Sequence, residues 1–128
     1  MKTLLSVLAA LTILAVLVPT AKTSADDKIL RHVVLFKFKD TTTPAQIKQV
    51  EDAFRALPGK ISEVRSFEWG TNVSPENLAQ GYTHCFLLAF SSEKDRDAYL
   101  VAPAHKDFGA LLRPYLDKVL VVDFWAQH

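Results

Sequence analysis

The chain has one cysteine, Cys85, one methionine and four glycines in 128 residues. A single thiol excludes an internal disulfide framework, and with no methionine beyond the initiator the core must be aliphatic and aromatic. No Gly-x-Gly-x-x-Gly, phosphate-binding loop or Gly-x-Ser-x-Gly occurs, so no motif points to a dinucleotide, a nucleotide or an elbow-type nucleophile. Charge of one sign is also missing. The formal net charge is +1, without the basic excess that marks nucleic-acid or anionic-membrane binding. Nor does the spacing of the four histidines include a His-x-x-x-His pair, so no metal is expected.

The chain opens on a long hydrophobic run, but only at its start. Lys2 supplies a positive end, Leu4 to Val18 is apolar apart from Ser6 and Thr12, Pro19 ends the run, and Thr23-Ser24-Ala25 follows with small residues. This is the pattern of a secretory signal peptide cleaved after Ala25, and the run is short for a bilayer span. Residues 1–25 are therefore expected to be removed, leaving residues 26–128 as one domain, exported to the periplasm or outside the cell, with no membrane attachment. Loss of Lys2 and Lys22 leaves 13 basic against 14 acidic residues. About 100 residues suffice for one core, though only marginally.

Arg31 to Phe38 is rich in β-branched and aromatic residues and reads as a strand. His32, Val34, Phe36 and Phe38 share one face, and Arg31, Val33, Leu35 and Lys37 the other. Thr43-Pro44-Ala45-Gln46 starts a helix: Thr43 caps, Pro44 suits the first turn and Gln46 completes a capping box. Ile47, Val50, Phe54 and Leu57 then recur at helical spacing until Pro58-Gly59. Ile61 to Val73 is the second strand candidate, with one apolar face (Phe67, Trp69), and Thr83 to Phe90 is a third. Ser91-Ser92 begins a short helix that Pro103 interrupts; a second helical piece carries Phe108, Leu111, Leu112 and Tyr115, with Pro114 kinking or ending it. Lys118 to Trp125 is the last strand.

The order β-α-β-β-α-β matches the α+β, ferredoxin-like plan, an antiparallel sheet with helices on one face. Strands one, three and four are apolar on both faces, and nothing in the chain is left to cover the second. A homodimer closing two sheets into a dimeric α+β barrel is the expected answer. The first and third strands are expected to form the central, parallel pair, which would bring His32 and His84 to one rim of an apolar cavity. Tyr99 and His105 flank the break at Pro103. His105 lies in the first turn of the new helix, where the macrodipole disfavours the imidazolium, so a neutral imidazole is expected. A neutral histidine beside a tyrosine hydroxyl suits proton abstraction next to a carbonyl. The plainer readings are a satisfied structural histidine for His32 or His84, a packing role for Tyr99, and a small buried hydrophobe for Cys85.

The segments His32-Val33-Val34-Leu35-Phe36-Lys37-Phe38-Lys39, Trp69-Gly70, Gly81-Tyr82-Thr83-His84, Tyr99 with Pro103-Ala104-His105, and Val121-Val122-Asp123-Phe124 occur in an order that resembles the stress-responsive A/B barrel domain (Dabb) family across about residues 29–126. The resemblance implies a ferredoxin-like protomer in a dimeric barrel and no cofactor. The family includes plant stress proteins and a plant polyketide-processing cyclase. By the cyclase pattern His105 would be the general base, Tyr99 the group orienting a substrate carbonyl, and His32 and His84 ligand-binding pocket residues. Ala102 departs from it, since the cyclase has a further histidine there. Two functions follow as expectations: a stress-related binder of a small apolar or carbonyl-containing molecule, or a cofactor-free acid/base enzyme using His105 and Tyr99.

Overall fold

The structure, a computed structural model, describes residues 28–128; the expected signal peptide lies outside the described residues. Strand β1 spans Leu30–Phe38, helix α1 Pro44–Ala56, β2 Ser66–Thr71, β3 His84–Phe90, α2 Glu93–Val101, α3 Pro103–Leu112 and β4 Leu116–Trp125. A single 3-10 turn, Leu57–Gly59, follows α1. The capping box forms as expected. The Thr43 hydroxyl accepts from the Gln46 backbone N–H, and the Gln46 side chain accepts from the Thr43 N–H, satisfying two donors that a helix start leaves without partners. Ser92 caps α2 through the Asp95 N–H. Pro103 opens α3, because its missing N–H costs nothing at a first helical position.

The four strands form one sheet in the order β2-β3-β1-β4. Every neighbouring pair is antiparallel, giving the ferredoxin-like α+β architecture. The expectation that β1 and β3 run parallel is corrected here. β2 runs into β3 through a loop, so β3 returns antiparallel to β2, and it also pairs antiparallel with β1. β2 is shorter than the expected stretch from Ile61 to Val73, because the chain turns after Ile61, with the Val64 N–H bonded to the Ile61 carbonyl oxygen at 3.3 Å, before the strand begins at Ser66.

All three helices lie on the sheet face that carries His32, Val34, Phe36 and Phe38, each less than a tenth exposed. The core centres on Phe54 of α1. Its ring lies 4.2 Å from Phe86 and 4.7 Å from Phe108, with Phe36 stacked at 5.9 Å. These aromatic contacts tie α1 and α3 to the two central strands. The outer face is left open: Leu120, Val122 and Phe124 of β4 are 43%, 48% and 47% exposed. Cys85 is on this face and is exposed, which corrects its reading as a buried hydrophobe.

Candidate active site

A cavity of about 430 Å³ opens between the helix-covered face of the sheet and α2 and α3, with His32, Tyr99, His105, Arg96 and Asp123 on its lining. Phe36, Phe108 and Leu112 close its floor, while Val119 and Val121 of β4 form a wall. Mostly apolar walls with a few converging polar groups are the usual composition of a small-molecule site.

β1 delivers His32, and antiparallel register sets it directly opposite Asp123 of β4. His32 is 4% exposed, and its Nδ1 donates to Asp123 Oδ1 at 2.6 Å. The second carboxylate oxygen accepts from Arg96 Nη1 at 3.0 Å, and Arg96 Nε also donates to Asp97. A carboxylate only accepts, so Nδ1 carries the hydrogen. In the neutral ring Nε2 is then the unprotonated nitrogen.

Tyr99 comes from the last turn of α2 and is 1% exposed. Its ring lies 5.8 Å from His32 and 4.5 Å from His105. Burial raises its pKa well above the ordinary phenol value, so at neutral pH the hydroxyl keeps its proton and can donate.

His105 sits in the first turn of α3. Its Nδ1 donates to the Leu100 carbonyl oxygen at 3.1 Å, across the break between the two helices, and Nε2 is again left as the free acceptor of the neutral ring. Burial lowers the His105 pKa; the bond to Leu100 opposes this, and the nearby His32 adds a smaller lowering. The direction is the one read from the sequence. The main cause is desolvation of the ring.

Three of the four residues singled out in the sequence, His32, Tyr99 and His105, therefore come together. His84 does not join them, which corrects the expected shared rim. In the antiparallel register His84 pairs with Phe36, four residues along β1 from His32. That spacing sets the two histidines roughly 13 Å apart along the strand, at about 3.3 Å per residue. His84 instead bonds Thr83 and Glu51, stacks on Trp69 and lines a separate depression of about 330 Å³. Sequence reasoning misses Asp123, Arg96 and Glu51. An aspartate inside the apolar run Val-Val-Asp-Phe-Trp is the available signal for the first. Among the described residues no group of three or more His, Cys, Asp or Glu side chains is placed to hold a metal ion, and no helix is long and apolar enough to cross a membrane.

Residues 30–126 match the family described as Stress responsive A/B Barrel Domain. The chain is 40% identical over 95 residues to the stress-response A/B barrel domain-containing protein HS1 of Arabidopsis thaliana, covering 74% of this chain and 87% of that one. It is 32% identical over 95 residues to olivetolic acid cyclase of Cannabis sativa, covering 74% and 94%. Among solved structures, hydroxynitrile lyase from Passiflora edulis superposes with a TM-score of 0.74 at 26% identity, covering 79% of this chain and 95% of the other. A dimeric ferredoxin-like protein from Bacteroides fragilis superposes with a TM-score of 0.64 at 27% identity, covering 77% and 96%.

Proposed function

The chain belongs to the stress-responsive A/B barrel domain family, and from that premise we propose that it is an exported homodimer that moves a proton beside a carbonyl group in the His32–Tyr99–His105 cavity. The observation that carries this reading is the pairing of a neutral-tending His105, its Nδ1 spent on Leu100, with a protonated Tyr99 at a ring distance of 4.5 Å. His105 Nε2 takes a proton from carbon next to the carbonyl. The Tyr99 hydroxyl donates to the carbonyl oxygen as enolate charge develops there, which is differential stabilisation of the transition state. His32, its tautomer fixed by Asp123, offers Nε2 to a hydroxyl of the same ligand. The ligand class is a small, largely apolar carbonyl compound, since few polar groups interrupt the walls. That relatives bear the names olivetolic acid cyclase and hydroxynitrile lyase supports acid/base chemistry in this fold.

A second reading, binding without turnover in a stress role, is supported by the likeness to HS1, whose name carries the stress response and no reaction. Export rests on the sequence pattern of residues 1–25, and the homodimer on the open apolar sheet face and the dimeric relative.

The mature protein should be incubated with an aryl methyl ketone in D₂O and α-deuteration followed by NMR. The enzyme reading expects acceleration by the native protein and a loss of about a hundred- to ten-thousandfold in His105→Ala, the range for removing a general base. Ligand-induced shifts at Tyr99 and His105 without deuteration would favour the binder. Acceleration that survives in the alanine variant would sink the role of His105. Mass spectrometry of the exported protein should find Asp26 at its N-terminus, and an intact leader would overturn the cleavage.

A further inference from the structure

The buried histidine that the cavity does not use is itself built into a hydrogen-bonded line. His84 is 6% exposed and both ring nitrogens are engaged: Nε2 with Glu51 Oε1 at 2.9 Å and Nδ1 with Thr83 Oγ1 at 2.8 Å. The direction of this line follows from donor chemistry. The Glu51 carboxylate can only accept, so Nε2 carries the hydrogen. In the neutral ring Nδ1 is then a lone pair, and the Thr83 hydroxyl must donate to it. A hydroxyl donating to a histidine whose other nitrogen is held by a carboxylate is the arrangement that activates an oxygen nucleophile.

The fold fixes all three members independently of one another. His84 begins β3 and is clamped between the edge of Phe38 at 5.1 Å and the face of Trp69 at 6.1 Å. Glu51 reaches it from α1, where it is half-buried next to Val50 in the core. Thr83 is exposed, and the bond from its backbone N–H to the Phe36 carbonyl oxygen, 3.0 Å, pins it to β1. The loop before it turns through left-handed residues at Asn77, Gln80 and Gly81. Gly81 has φ +85°, a backbone conformation that L side chains rarely adopt.

Thr83 borders two depressions. One, of about 330 Å³, has Trp69, Leu35 and Leu87 on its walls and lies against the outer sheet face. The other, of about 400 Å³, is formed by the loop itself, with Pro75, Asn77 and Gln80. Thr83 is reached from the loop groove, whose lining contains neither Leu35 nor Leu87 of the outer sheet face.

We propose that Thr83, His84 and Glu51 form a second reactive site, in which Thr83 Oγ is the nucleophile, His84 the general base and Glu51 the group that orients the base, acting on small activated acyl esters. In the acyl-transfer step Thr83 Oγ bonds to the ester carbonyl carbon while its proton passes to His84 Nδ1. Glu51 holds the resulting imidazolium through Nε2–H. The bond from the carbonyl carbon to the leaving oxygen then breaks, and that oxygen takes the proton from Nδ1. An acyl-Thr83 and a free alcohol result, and water releases the acid by the same route in reverse. The site uses none of the residues of the His105 cavity and stands or falls separately from it.

The test is reaction of the purified mature protein with p-nitrophenyl acetate, followed by p-nitrophenol release and by peptide mapping of the acetylated chain. One acetyl group per chain on Thr83 is expected, retained in Thr83→Ser and absent in Thr83→Val, which keeps the shape and loses the hydroxyl. Glu51→Gln, which can still bond His84, should slow acetylation by about tenfold or more, as loss of the base's orienting charge does elsewhere. Circular dichroism and thermal melting establish that each variant is folded; the serine variant preserves the test where the valine variant does not fold. Acetyl groups on lysines or on His84 alone, or Thr83→Val reacting at the native rate, would overturn the proposal.

Discussion

His105 hands its Nδ1 hydrogen to the carbonyl oxygen of Leu100, 3.1 Å away in the last turn of the preceding helix. In an unbroken helix that carbonyl would accept from the backbone N–H of Ala104, four residues on. The chain instead leaves the helical conformation at Ala102, where ψ is 138°, and restarts its helix at Pro103. The histidine thus fills a gap the break creates and is fixed in one tautomer by doing so.

The pH dependence follows from the sign of the His105 shift. Its folded pKa lies below the ordinary 6.5 because burial penalises the charged ring. As pH falls below the ordinary histidine value, the unfolded chain binds this proton more readily than the folded one, so the contribution favours unfolding in acid. Stability is fully present above that value and declines as pH drops towards and through the folded pKa. NMR titration of the His105 ring should give a midpoint below 6.5, and His105→Ala should flatten the fall in urea midpoint between neutral and mildly acidic pH. A ring midpoint at or above the ordinary value would contradict this.

Asp123 holds two partners at once, so its loss should exceed that of Arg96. Asp123→Ala leaves the buried His32 Nδ1–H without an acceptor, a penalty of about 1–3 kcal/mol. For a domain of this size that is a melting-temperature drop of roughly 4–8 °C per kcal/mol. Arg96→Leu removes the outer contact of a carboxylate that still reaches solvent, together with an exposed pair to Asp97, and should cost less. Thermal melts of both variants and of the double variant test the coupling; an unchanged melting temperature in Asp123→Ala would show that His32 finds another acceptor.

The helix-to-sheet core should be most sensitive at Phe54. It is 1% exposed and touches the rings of Phe36, Phe67, Phe86 and Phe108. Phe54→Ala is expected to cost about 3–5 kcal/mol through lost burial and the cavity it leaves. Against a total of roughly 5–15 kcal/mol for a typical domain, that is enough to populate unfolded chain in mild denaturant. Urea titration measures it, and a loss under about 1 kcal/mol would mean that the surrounding rings collapse into the space.

The parts of this fold legible in the sequence are those set by local rules. Alternation sorts β1 into two faces, with His32, Val34, Phe36 and Phe38 together on one, Thr43 and Gln46 announce the α1 capping box, and Pro103 marks the join of α2 and α3. Tyr99 and His105 stand out because they flank that join. What stays hidden is long-range. The relative direction of β1 and β3 cannot be read from either strand's pattern, and a parallel pairing wrongly places His84 beside His32. Glu51 reads as one more charge on a solvated helix face, since its spacing does not reveal that its carboxylate reaches a histidine 33 positions away. Arg96 and Asp123, 27 positions apart, are invisible for the same reason.

The outer sheet face should bind a second copy. Val122 pairs with Val33 in the β1–β4 register, midway along the edge strand β4, on a face where Leu120, Val122 and Phe124 are each nearly half exposed and Leu35 and Leu87 are partly so. Burying such a face against its symmetry mate removes apolar surface worth about 25 cal/mol per Å². A lysine at position 122 would set an unpaired charge into the closed interface, and again in the symmetry-related copy, at a cost that association cannot offset. Sedimentation at micromolar concentration should therefore give twice the chain mass for the native protein and the single-chain mass for Val122→Lys, with circular dichroism unchanged. A native protein sedimenting as one chain would remove the dimer, whereas a variant that stays dimeric would move the interface to another face.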